Sequence, residues 1–430
     1  MQHYACVLQY FPLILSLSGV TRYVRSGAIM GRKKTGPKTI LGEEPTDLRR
    51  ERLMELTRRD LTKYIGAAAG LAAFGSTRSA FAARDKEMNI LCWEGYNTDN
   101  VLGPFRKAYP GVTTRAESGT SDPDMINKLR AGELKVWDLI NVNQPWARQQ
   151  LFPEKLIKPL NKDRFLPYFA KMSPEFAAPY PLAFAESGEL IGMPQRYGPF
   201  SFVVNTDKIS RKTAEDQGWS IFLDPAMKGR FGVLTYDNWN VIHLCLTAGV
   251  NPFKAVEEAG VAKFTETTKT VFGGAKMLSD DLVAMNTALI NGEIDAYFTG
   301  GTYTASPARF DGAANIRGIT PNSGPVDGKG GVVWVELTSV VNNPDVSPLA
   351  EDFLEFVQKG EIAKAVSFAE GTYNPVSQMG DPEVFKLWNG TELDAIQWDS
   401  LPDELARSAD FSVVPDYDAL LKIYTAAKRR

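Results

Sequence analysis

One carboxylate stands where a strand should be apolar. The stretch "GGVVWVELTSVV", residues 330–341, reads as a buried β-strand. Strand side chains alternate faces, so Val333, Val335 and Leu337 share one side and Trp334, Glu336 and Thr338 the other. A fully buried charge costs several kcal/mol unless it is paired, and this strand holds no Lys or Arg. Glu336 therefore sits at an exposed sheet edge, or its partner is a cation that comes from outside. Further aromatic and polar residues occur at strand ends, the rim at which open α/β sheets bind ligands. Trp93 and Tyr96 follow the first strand in "CWEGYN", and Asn143 and Trp146 follow the third in "NVNQPWA". Asp237 and Trp239 lie in "TYDNWN", Phe298 ends "DAYF", Tyr373 lies in "EGTYNPV", and Trp398 and Asp399 come late in "AIQWDS".

Each ring taken singly also fits core packing, and Asp237 equally suits the cap of the helix it precedes. The repetition is what points to binding: five strand ends carry an aromatic and two a carboxylate. That set suits an organic cation. An amine against ring faces gains roughly 0.5–2 kcal/mol per face, and a charge-assisted bond to a carboxylate adds about 1.5–3 kcal/mol. Two or three of each, less binding costs, reach the micromolar range near about −8 kcal/mol.

The elements that must position these residues alternate. From Met88, "NILCW" is a strand, 99–109 a helix, "VTTRAES" a strand, 122–131 a helix and "VWDLINV" a strand. This order predicts a parallel sheet with helices on both faces. A second set follows "FSFVVNT": the strand "FGVLTY", a helix over 237–248, a long helix opening at Asn251-Pro252, a helix capped by Ser279, and the strand "IDAYFTG". Two such sets in succession predict two lobes. After Val341 the chain turns helical, with openings at Ser347-Pro348 and Asp381-Pro382 and a last helix from about Pro415. "TGGTY", 299–303, is a weak match to a phosphate-cradling turn and better suits close approach of a backbone to a ligand or the other lobe.

Other chemistries are poorly supplied. There is no Walker A loop, no G-x-G-x-x-G opening a helix, no G-x-S-x-G and no H-E-x-x-H. The two histidines are His3 and His243, too few for His-based acid–base chemistry or a His-rich metal site. No cofactor and no metal are expected. Cys92 and Cys245 read as small buried hydrophobes, with a disulfide between them the lesser alternative.

The first 83 residues look different. "TRRDLTKYIGAAAGLAAFGSTRSAFAAR" pairs Arg58 with Arg59, continues in an apolar run over 65–74 and ends in Ala80-Phe81-Ala82. This is the layout of an export signal of the twin-arginine type, cleaved near Ala82-Ala83, with Met30 or Met54 as possible true starts. Residues 1–82 hold 13 Lys and Arg against 6 Asp and Glu, out of 48 and 51 in the whole chain, so the remainder carries a net charge of −10. An acidic exported chain suits cations and disfavours nucleic acid.

On Trp93, Tyr96, Asn143, Asp237, Trp334, Glu336 and Tyr373 the sequence resembles the bacterial extracellular solute-binding proteins of polyamine ABC transporters, the spermidine/putrescine-binding family, from about Asn89 to the C-terminus. The resemblance implies an α/β fold of two lobes joined by a multi-strand hinge, the type II periplasmic-binding-protein fold. Lobe one would comprise 84–200 and 338–378, lobe two 201–337 and 379–430, with crossings near 200–205 and 335–337. It implies stacking by Trp93 and Tyr96, amine contacts by Asn143 and Asp237, a central Trp334–Glu336 pair, and Tyr373 at the rim. Trp146, Trp239, Phe298 and Asp399 are further candidates. The implied role is capture of a small cationic amine in the periplasm by a monomer that docks on permease subunits, with no catalysis and with the twin-arginine machinery as partner of the precursor. Asn240 stands where the family often has a second acid, and the return-strand acid is Glu instead of Asp. A monocationic or zwitterionic amine is therefore the alternative ligand, and a periplasmic enzyme on a two-lobed scaffold the distant one.

Overall fold

In the computed structural model, which describes residues 84–369 and 371–429, the predicted alternation is present. β1 (Glu87–Cys92) pairs in parallel with β2 (Thr113–Ser118) and with β3 (Leu139–Asn143). The polar sequence of β2, TTRAES, fits its place at the sheet edge, where one flank meets solvent, whereas all five residues of β3 are buried. Two helices, α1 (Asp99–Ala108) and α2 (Asp122–Arg130), connect these strands.

β4 (Met193–Asn205) and β9 (Gly331–Val340) occupy the centre of the sheet, antiparallel to each other. Beyond β4 lie β7 (Ala296–Gly301), β5 (Phe231–Leu234) and β6 (Met277–Ser279). The order is β2-β1-β3-β9-β4-β7-β5-β6, with β8 (Ile316–Ile319) against β4 and a short late strand, Ser408–Asp410, against β9. The first α/β set thus lies on one side of the central pair and the second on the other. The sequence segments expected to cross between lobes fall inside β4 and β9.

In the second set, α3 (Asp237–Thr247), α4 (Glu258–Gly274), α5 (Leu282–Ile290) and α6 (Thr302–Phe310) flank the strands. The terminal helix α7 (Tyr417–Lys428) lies against them, its buried Tyr424 edge-on to Phe272 at 5.5 Å. Two helix starts differ from expectation. Asn251-Pro252 forms a turn, because Asn251 Oδ1 accepts from the Phe253 N–H at 2.9 Å and the Val256 N–H donates to Asp416 at 2.8 Å, so α4 begins only at Glu258. Ser279 ends β6, and Asp281 caps α5 by accepting from the N–H groups of Val283 and Ala284. Ser347, as expected, accepts from the Leu349 N–H at a helix start, and Asp381 does so for Glu383.

Cys92 and Cys245 are free and buried, and burial pushes both thiols up, Cys245 to about 12. They act as packing residues. The export leader with Arg58, Arg59 and the Ala80–Ala82 pattern lies outside the described residues. No helix among the described residues is long and apolar enough to cross a membrane.

Candidate ligand cleft

Glu336 has its partner inside the chain. On β9 it is 5% exposed, and the Arg196 guanidinium donates to it twice, Nε to Oε2 at 3.0 Å and Nη2 to Oε1 at 2.9 Å. The Tyr96 hydroxyl donates to Oε2 at 3.0 Å, and its ring lies 5.0 Å from the guanidinium carbon. Both expectations for Glu336 are therefore corrected: it is neither at an edge nor waiting for an outside cation. The side chain that answers it comes from β4, where the register against β9 shifts between Pro194 and Tyr197. A bulge of this kind re-aims side chains. Here it lets neighbouring residues reach the same row of β9, Arg196 to Glu336 and Gln195 to Thr338 at 2.8 Å.

Burial pushes the Glu336 carboxyl up and Arg196 pulls it back, while the guanidinium, disfavoured by burial, is held charged by Glu336. The Tyr96 hydroxyl is pushed up by burial and by the adjacent carboxylate. Charge-assisted, bidentate bonding is the arrangement that offsets desolvation of two ions. Gly95 completes it: at φ +102 it adopts a conformation that favours glycine, and a Cβ there would lie 3.0 Å from Arg196 Nη1.

A second buried carboxylate fixes the rim beside the first α/β set. Asp122, in the first turn of α2 and 4% exposed, accepts from Trp93 Nε1 at 3.2 Å. It also accepts from the Asn143 N–H at 3.0 Å and from Asn143 Nδ2 at 2.8 Å. One side chain therefore orients both Trp93 and Asn143, with the helix N-terminus favouring its charge. Burial pushes the Asp122 carboxyl up to about 6, against those hydrogen bonds, which pull it down.

The second α/β set contributes rings. Gly301 allows α6 to start tight against β4, because a Cβ there would meet the Pro199 carbonyl oxygen at 2.5 Å. That start carries Tyr303, which stacks on Phe200 at 5.3 Å and stands edge-on to Trp334 at 5.9 Å. The close backbone approach expected of "TGGTY" is thus to β4. Trp239, from the first turn of α3, packs against Phe200 at 4.8 Å. Beneath them His243 is buried among rings, and burial holds its imidazole down at about 3, so it is neutral and supplies no acid–base group near pH 7.

These elements enclose one cleft of ≈ 490 Å³, part of it open to solvent. Trp93, Asn143, Trp334 and Glu336 line it, as does Trp239 among the weaker candidates. So do Glu94, Arg196, Tyr303, Thr372 and Asn374, which the sequence pattern did not single out. The other candidates do not line it. Tyr96 lies fully buried behind Glu336. Asp237 is turned to the terminal helix, accepting from the Tyr424 hydroxyl at 2.6 Å and from Lys428 Nζ at 3.0 Å. Tyr373 stacks on Phe310 at 4.7 Å, since alternation along its strand sends Thr372 and Asn374 into the cleft and Tyr373 away from it. Trp146 and Phe298 are buried, and Asp399 pairs with Arg317.

The charges in the cleft now count differently. Arg196 and Glu336 cancel, and Glu94 remains a half-buried carboxylate with no hydrogen-bond or ion-pair partner among the described residues. Burial, then the Tyr236 phenol and the Glu94 carboxylate, push the Tyr303 hydroxyl up. The arrangement is a ring-walled cavity with one uncompensated negative charge.

Residues 148–403 match the bacterial extracellular solute-binding protein family. The chain belongs to that family. No curated protein matches it. Among solved structures, a putative spermidine/putrescine ABC transporter protein from Listeria monocytogenes is 14% identical with a TM-score of 0.59, over 79% of this chain and 99% of that one. PotD, the spermidine/putrescine ABC transporter substrate-binding protein from Streptococcus pneumoniae, is 14% identical with a TM-score of 0.57, over 80% and 99%. MotA from A. tumefaciens B6, solved in complex with glucopine, is 14% identical with a TM-score of 0.55, over 80% and 99%. The solute-binding protein shares with these its two-lobed periplasmic-binding-protein fold.

Two outcomes follow for the solute-binding protein. Arg196→Met and Glu336→Leu each lower the unfolding free energy by about 3–5 kcal/mol, because each strands a buried charge. The double variant loses at least about 1 kcal/mol less than the sum, and additive losses in urea melts would mean the two charges are not coupled. The second outcome concerns Asp122. An unfolded aspartate titrates near about 3.9, so the folded state binds this proton more tightly, and its stabilisation is full below about pH 4 and lost by about pH 6. The stability of wild type minus Asp122→Asn therefore falls by about 2 kcal/mol between pH 4 and 7. A flat difference would show that the carboxyl stays ionised throughout.

Proposed function

We propose that this solute-binding protein is the ligand-capturing subunit of an ABC importer and that its ligand is a small organic amine, a polyamine or a related cation. The observation that carries the reading is the meeting of four rings, Trp93, Trp239, Tyr303 and Trp334, from both halves of the sheet around the uncompensated carboxylate of Glu94. Ring faces and a fixed carboxylate replace the water around an ammonium group. Asn143 supplies a further acceptor, and Asp122 holds it and Trp93 in place. Glu336 and Tyr96 act behind the surface by fixing Arg196.

Lobe one would comprise 84–200 and 338–378, and lobe two 201–337 and 379–430, hinged at β4 and β9. Ligand contacts made by both lobes favour the closed state through differential affinity, and the closed monomer docks on the permease without chemistry being performed. Two of the structural neighbours are named for spermidine/putrescine transport and one was solved in complex with glucopine, so the fold is not tied to a single ligand.

Calorimetry with putrescine, spermidine, choline and amino acids is expected to find a ligand of micromolar affinity or better, and Glu94→Gln to weaken it at least tenfold. Unchanged affinity in that variant would remove Glu94 from the site. Export is proposed to follow the twin-arginine route, with the leader cleaved near Ala82-Ala83. Replacing both Arg58 and Arg59 by Lys should then leave unprocessed precursor in the cytoplasm. Processed variant in the periplasm would reject that route.

A further inference from the structure

Resting on the amine reading, we infer that the ligand carries a hydrogen-bond acceptor beside its ammonium group, and that this acceptor is a carboxylate, which makes the substrate class amino-acid-like zwitterions. The residues lining the cleft have unused hydrogen-bonding capacity of both signs. On the acceptor side stand the Glu94 carboxylate and Asn143 Oδ1, the latter buried and without a partner among the described residues. The orientation of that amide is fixed by chemistry. Ionised at neutral pH, Asp122 can only accept, so it takes Nδ2, and Oδ1 is the end left over.

On the donor side stands Trp334 Nε1, also buried and without a partner among the described residues. With it stands Arg196, whose Nε and Nη2 are spent on Glu336, leaving the Nη1 hydrogens. The guanidinium is a rigid fork, so bidentate engagement of one edge directs Nη1 elsewhere. A simple diamine or polyamine brings donors only. It could satisfy Glu94 and Asn143 Oδ1, yet it would leave the Trp334 and Arg196 donors unmatched and set an ammonium against a guanidinium. Desolvated donors left unpaired are what allow a polar site to reject an analogue lacking one group. The charge count separately argues against a diamine: with Arg196 and Glu336 cancelling, Glu94 balances one ammonium, and a second ammonium would find no free carboxylate among the lining residues.

The test uses matched pairs by calorimetry on the purified protein: 4-aminobutanoate against putrescine, and lysine against cadaverine, with spermidine and choline alongside. The acid-bearing member of at least one pair is expected to bind at least tenfold tighter than its diamine. Trp334→Phe, which keeps a ring and removes the N–H, is expected to shrink that ratio at least fivefold. Diamines or spermidine binding as tightly as, or tighter than, the acids would overturn the zwitterion assignment and leave the amine reading standing. An undiminished ratio in Trp334→Phe would overturn the role of its donor. No binding by any of these ligands would overturn both readings.

Discussion

A carboxylate taken out of water in the middle of a sheet must be answered, and here the answer comes from the neighbouring central strand. Glu336 on β9 and Arg196 on β4 face each other across the two strands that both α/β sets share. Their mutual attraction has to offset the desolvation of two ions, and it does so through two donated bonds from the guanidinium and a third from Tyr96. Much else follows from that requirement. The irregularity in β4 turns Arg196 toward β9, the positive φ of Gly95 leaves room beside the guanidinium, and the Tyr96 ring covers it. The pair therefore ties the central strands to the loop after β1, and it does so at the floor of the cleft.

Buried carboxylates elsewhere in this fold work the same way. Asp122 touches no solvent to speak of and lines nothing, yet it determines how Trp93 and Asn143 present themselves. The residues that face the cavity are in this sense chosen twice, once by their own chemistry and once by a hidden acceptor. Trp239 and Tyr303 are positioned instead by packing on Phe200, with His243 as an uncharged filler below. One wall is thus held by charge and the other by ring contacts.

Much of this was legible in the chain. Alternation and turn residues located β1, β2, β3, β5 and β7, and rim position picked out Trp93, Asn143, Trp239 and Trp334. Arg196 was not legible, because "MPQRYGPF" has two prolines and a glycine and no alternation, so it does not read as the start of a thirteen-residue buried strand. Its partner lies 140 residues away, and only the bulge brings them together. The signal that could have found it was a buried strand with one acid and a second apolar segment with one arginine. Asp237 misled because a carboxylate at a helix start has several uses, and this one meets Tyr424 and Lys428 of the terminal helix. Tyr373 misled by one position of alternation. Asp122 looked like an ordinary member of a helix start, and nothing local reveals that Trp93 and Asn143 converge on it.

Glu94 differs from every other acid in the neighbourhood in that the fold makes no use of it. It stands on the short loop after β1, bonds to no neighbour among the described residues, and leaves the lining of the cavity with a net negative charge. If the ligand meets Glu94 as proposed, selectivity is uncoupled from architecture: exchanging that one side chain would re-tune what the protein captures while the buried ion pair, the sheet and the ring walls stay as they are. A lineage, or a library built at this position, could then explore new cargo without first having to repair its scaffold.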